Sequence, residues 1–158
     1  MTRREQIDLL KGVIETDLLI IQETFYNSIK TRELDKTVLI KIKNYLENLR
    51  TILDYLAKEV LENRCNRQVR NYFPIMNEGL SDTKIKTSIS GCFPGLETDY
   101  PELFQYFINI QPKYHTDNKW LTELNELCGS NKHEELSLQV RKDEIVNMLT
   151  LNNRHTYI

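Results

Sequence analysis

The stretch "IKNYLENLRTILDYLAKEV", residues 42–60, decides the fold. Ile42, Leu46, Leu49, Leu53, Leu56 and Val60 recur at spacings of four, three, four, three and four. That is a heptad seam held for more than two heptads, with no Gly or Pro in it. A strand would alternate with a period of two, so the spacing predicts a helix, here over 36–66. The residues before it repeat the pattern. Ile7, Leu10, Ile14, Leu18, Ile21 and Phe25 make one apolar stripe on a helix expected over 4–30. Only the polar turn from Thr31 to Asp35 separates the two. A link that short predicts an antiparallel αα-hairpin closed along both seams. A dimeric coiled coil is the other use of such a seam.

Beyond the second helix the character changes. Pro74, Gly79, Gly91, Pro94 and Gly95 fall within 71–100, which reads as a long irregular cross-over. Phe73, Ile75, Ile85, Ile89 and Phe93 should hold it against the bundle, and loops of this length are often functional. Shorter helices are expected over 101–158. The first starts at Pro101, with Asp99 and Glu102 as a capping box and Leu103, Phe104, Phe107 and Ile108 on its inner face, and Pro112 closes it. The next is capped by Thr116 or Asp117, lined by Trp120, Leu121, Leu124 and Leu127, and ended by Gly129. After Glu134, "LSLQV" alternates like a strand and "DEIVNML" reads as helix; helix is favoured. The expectation is one all-α domain over 1–158, a helical bundle.

Composition removes several function classes. The net charge is −2 and the isoelectric point about 6.0, so no global field draws the chain to nucleic acid or an anionic membrane. Locally, Arg64, Arg67 and Arg70 would share a helix face. They read as cations near the negative pole of a helix, or as an RNA-binding patch. The three cysteines are widely spaced and form no CxxC. Cys128 and His133 lack a second ligand pair, so no metal and no cofactor is expected. No apolar run approaches a membrane span, and the charged start is unlike a signal peptide. A cytoplasmic protein with no membrane partner is expected.

Arg50 and Asp54 are one helical turn apart beside the seam. His133, in "GSNKHEE", is the natural third group, able to act as acid or base near neutral pH. Asp54 could orient it while Arg50 or Lys132 stabilises a phosphorane, giving metal-free RNA cleavage. The plainer reading has Asn131 and Glu134 as a capping box and His133 as a polar clasp on Asp54. GxxxxGK[ST], GxGxxG, GxSxG and HExxH are all missing.

Four elements in order, "LRTILDYLA", "FPI" at Phe73–Ile75, "ISGCFPG" at Ile89–Gly95 and "IQPKYHTDNKWLTELNELCGSNKHEEL", resemble a bacterial family of uncharacterised helical proteins. The resemblance covers about Asn48 to Leu138. It extends distantly to the HEPN helical domains, common in antiphage and toxin–antitoxin systems and often ribonucleases. It implies that Arg50, Asp54, Asn131, Lys132 and His133 belong to a shared pattern. The HEPN order of Arg, a polar residue, a few more and His does not precede His115, His133 or His155. The resembling proteins continue past the KH element, so a short or truncated version is expected here. Three functions compete. The first is a non-catalytic interaction or regulatory module with a protein partner or a second copy in a homodimer. The second is a metal-free ribonuclease using Arg50, Asp54 and His133, with Asn131, Lys132, Arg64, Arg67 and Arg70 binding RNA. The third is a small-molecule binder under the cross-over, lined by Phe73, Phe93 and Trp120.

Overall fold

The computed structural model describes residues 1–33, 35–65 and 72–130. Among these there are six α-helices and no strand: α1 (Arg3–Thr31), α2 (Thr37–Val60), α3 (Asp82–Cys92), α4 (Leu96–Asp99), α5 (Pro101–Asn109) and α6 (Trp120–Ser130). A π-turn, Leu61–Cys65, prolongs α2, and a 3₁₀ turn, Thr116–Asn118, precedes α6. The chain is an all-α bundle built on a long N-terminal helix pair.

α1 begins with a capping box. The Glu5 amide donates to the Thr2 hydroxyl at 3.3 Å, and the Thr2 amide donates to the Glu5 carboxylate at 2.7 Å. It ends at Arg32 in the left-handed region, φ 60°. Asp35 then accepts from both the amide and the hydroxyl of Thr37 at the head of α2.

The helix pair closes along lines that match the expected stripe at Ile7, Leu10, Ile14 and Ile21 and depart from it elsewhere. On α1 the stripe was to run through Leu18 and Phe25, yet these are 38% and 58% exposed. The inward line is Leu10, Ile14, Asp17, Ile21, Thr24 and Ser28, at spacings of four, three, four, three and four. Repeated steps of four drift off a contact face by about 40° each, and Leu18 is one such step too far. On α2 and the π-turn that prolongs it the contact is marked by Lys41, paired with buried Asp17 at 3.2 Å, and by Glu59 and Glu62, paired with Arg3 at 2.9 and 2.8 Å. The far half of the heptad seam turns elsewhere. Leu53 and Val60 pack on the main core, and the Leu46 carbonyl receives the Cys128 thiol of α6.

That core lies at the far end of α2. Ala57, Leu61, Phe73, Ile85, Ile89, Phe93, Leu96, Phe104, Phe107, Ile108 and Leu121 form one buried cluster. Phe93 stacks obliquely on Phe107 with ring centres 4.5 Å apart. Full burial of each large side chain contributes about 1.5–3 kcal/mol. Within 71–100, expected to be irregular, α3 and α4 are helical. Ser81 caps α3 by accepting from the Lys84 amide, and Ile85 and Ile89, one turn apart, anchor it. Pro101 does start α5, but Tyr100 occupies its cap position with no side-chain bond, so the Asp99–Glu102 box is not formed. α6 continues through Gly129, and its inner line is Leu121, Leu124 and Cys128, with Trp120 and Leu127 exposed.

Candidate functional site

Arg50 and Asp54 do form a cluster, and its centre is a length of main chain. Asp54 accepts the Phe73 amide at 2.8 Å. Arg50 donates through Nη2 to the Phe73 carbonyl at 3.3 Å and through Nη1 to Asn125 of α6 at 3.1 Å. Its Nε lies 3.4 Å from the Asp54 carboxylate. Two side chains one turn apart on α2 thus take both backbone polar groups of one residue, as a neighbouring strand would. Their side chains are 18% and 27% exposed, so the cluster is half-buried beneath the segment it holds.

Gln111 grips the same segment from the other side and is fully buried. Its Nε2 donates to the Pro74 carbonyl at 3.0 Å and to the Phe107 carbonyl at 2.8 Å, and its Oε1 accepts the Met76 amide at 2.9 Å. The chain from Phe73 to Met76 is therefore clamped between α2 and the end of α5. The elements "LRTILD", "FPI" and "QP" meet in this one arrangement. A buried amide with every group engaged is a strong positional constraint, because a lost partner leaves an unsatisfied polar group.

Gln111 and Asn125 were not singled out from the sequence. Gln111 carried a signal: Phe104, Phe107, Ile108 and Gln111 follow the three, four, seven pattern of one inner helix face, so a polar residue ends an apolar stripe. Asn125 carried none.

Arg64, the described member of the arginine set, lies with its guanidinium 5.2 Å from the centre of the Tyr100 ring. Asp99 and Glu102 line the shallow pocket beside it, so its surroundings are acidic and aromatic. Arg67, Arg70, Asn131, Lys132 and His133 lie outside the described residues, as does the expected approach of His133 to Asp54.

An apolar groove of about 480 Å3 opens between α2, α5 and the head of α6. Leu53, Leu56, Phe73, Tyr106 and Trp120 line it. Phe93, expected in this lining, is instead fully buried against Phe107. Among the described residues no group of three or more His, Cys, Asp or Glu is placed to hold a metal ion. No helix there is long and apolar enough to cross a membrane. The thiols of Cys65 and Cys92 are pushed above their ordinary range by burial, which makes them weak nucleophiles. Comparison with known proteins found no matching family model, no matching curated protein and no matching solved structure.

Proposed function

We propose that the chain is a non-catalytic helical interaction module, of the regulatory kind that its resemblance to defence-associated helical proteins suggests. One observation carries this reading. Each of the three guanidinium nitrogens of Arg50 is engaged, by Asp54, Phe73 and Asn125. A ribonuclease arginine must turn its fork to a phosphate, and this fork is held by the chain's own Asp54 carboxylate, Phe73 carbonyl and Asn125 amide oxygen. The exposed apolar residues of α1 supply the surface such a module needs.

The test is to incubate the full chain with total bacterial RNA in EDTA, beside His133→Ala. The expected result is no cleavage by either. Cleavage by the wild type alone would overturn the reading and make Arg50, Asp54 and His133 working parts of a nuclease.

The groove favours a second reading, a small apolar ligand. Its volume falls within the roughly 300–1,000 Å3 of small-molecule sites. Trp120 is the only tryptophan in the sequence, so its fluorescence reports directly on the groove. Titration with 1-anilinonaphthalene-8-sulfonate should quench Trp120 by energy transfer at a stoichiometry of one if the groove takes ligands. Quenching that survives Leu53→Arg would remove this reading.

A further inference from the structure

α1 leaves eight large apolar side chains exposed, set among exposed charged residues such as Lys11, Glu15 and Glu23. Its inner line meets α2, Leu9, Val13 and Ile20 lie to one side of that line, and Leu18, Phe25 and Ile29 lie to the other. Leu19 and Tyr26 point away from α2 and are 67% and 68% exposed. Exposed apolar side chains in that number on one helix mark a contact surface. Yet among the described elements α1 packs broadly on α2 alone.

We propose that a second copy of this chain covers α1, the two α1 helices running antiparallel about Leu19. The proposal deepens the interaction-module reading by naming the partner. Its ground is a self-complementary stripe. At 3.6 residues per turn, Asp8, Gly12, Leu19, Tyr26 and Lys30 fall within about 40° of one another on the outer face. Asp8 and Lys30 are each eleven residues from Leu19, and Gly12 and Tyr26 are each seven. In an antiparallel pair centred there, Asp8 meets Lys30 of the second copy, Gly12 meets Tyr26, and Leu19 meets its equivalent. A two-fold interface requires this reciprocity.

The local details agree. Nothing lies within 4 Å of where a Cβ on Gly12 would be, so a tyrosine ring has an open seat there. Asp8 and Lys30 are exposed, and neither enters an ion pair among the described residues. Glu15 and Glu23, each four residues from Leu19, fall about 40° to opposite edges of the stripe and so avoid each other. The antiparallel arrangement also sets the positive end of each helix beside the negative end of the other.

The full chain should elute with a light-scattering mass near twice 18.8 kDa. Leu19→Cys should form a disulfide-linked dimer under mild oxidation. Leu9→Cys, on a similarly exposed residue, should not, because residue 9 lies opposite residue 29. Asp8→Lys should weaken the dimer roughly three- to tenfold, and adding Lys30→Asp should restore it. A helical monomer at every concentration up to about 100 μM would overturn the proposal. So would a dimer in which L9C cross-links as readily as L19C. RNA cleavage would remove the interaction-module reading and leave this measurement to be judged on its own.

Discussion

At the scale of single residues, the prominent side chains serve the main chain. Gln111 makes three hydrogen bonds in a site closed to water. Gln111→Ala should cost about 2–4 kcal/mol, because the Met76 amide and Pro74 carbonyl lose their partner. Urea denaturation measures this, and a loss under ~0.5 kcal/mol would show that water replaces the amide at no cost. Asp54→Asn keeps an acceptor for the Phe73 amide and removes only the charge facing Arg50. It should cost about 1 kcal/mol, against about 2–3 for Asp54→Leu, and the reverse order would exclude the backbone role. Asp82 behaves differently because it is a surface carboxylate. The bonds from Lys113 and then Tyr114 hold it below the usual carboxylate range. Folding therefore favours its ionised form. The stabilisation is complete above the unfolded value, near 4, and is lost as pH falls through the lower folded value. Asp82→Asn should lower the neutral plateau of a melting-temperature profile slightly and meet the wild type at the acid end, which makes the acid limb shallower.

At the scale of elements, what was legible followed from the density of the apolar signal. α1, α2, α5 and α6 carry sustained periodicity, and their existence and approximate bounds can be read from spacing. α3 has only Ile85 and Ile89 as buried anchors, set among Thr, Lys and Ser, and it is followed by Gly91, Pro94 and Gly95. Two apolar residues one turn apart make too weak a pattern to outweigh that punctuation. The helix exists because the core at Phe93 and Leu96 fixes its end and Ser81 its start. Ser81→Ala should therefore cost about 1 kcal/mol and Ile89→Ala about 2–5 kcal/mol in the same denaturation assay. Gly95 has φ +85° between α3 and α4, so Gly95→Ala should cost roughly 1–2 kcal/mol although its Cβ would meet nothing closer than 3.4 Å. The site was half legible for a related reason. Arg50 and Asp54 announce themselves by type and spacing, but their partner is the backbone of Phe73, and every residue has a backbone. On α1 the apolar spacing finds Ile7, Leu10, Ile14 and Ile21 but slides to Leu18 and Phe25, because the inner line there runs through Asp17, Thr24 and Ser28.

At the scale of the whole molecule, α1 stands apart energetically. The main cluster draws on the end of α2, on α3 to α5 and on Leu121, and takes nothing from α1. The α1–α2 contact is laced with ion pairs instead. Dilution below the dimer constant should thus lower amide protection in α1 while leaving α5 at the global unfolding limit, as hydrogen exchange can read. Equal protection in both helices at every concentration would show that α1 needs no partner. The clamp on residues 73–76 has a different consequence. Arg50, Asp54 and Gln111 hold amides and carbonyls, atoms that survive almost any change of side chain. The held segment is therefore free to drift in sequence wherever its side chains leave the core, and the three holders are not. Saturation mutagenesis scored for folding should find exposed Tyr72 permissive, Ile75 and Met76, half-buried against the core, open to other apolar residues, and Arg50, Asp54 and Gln111 intolerant of any change.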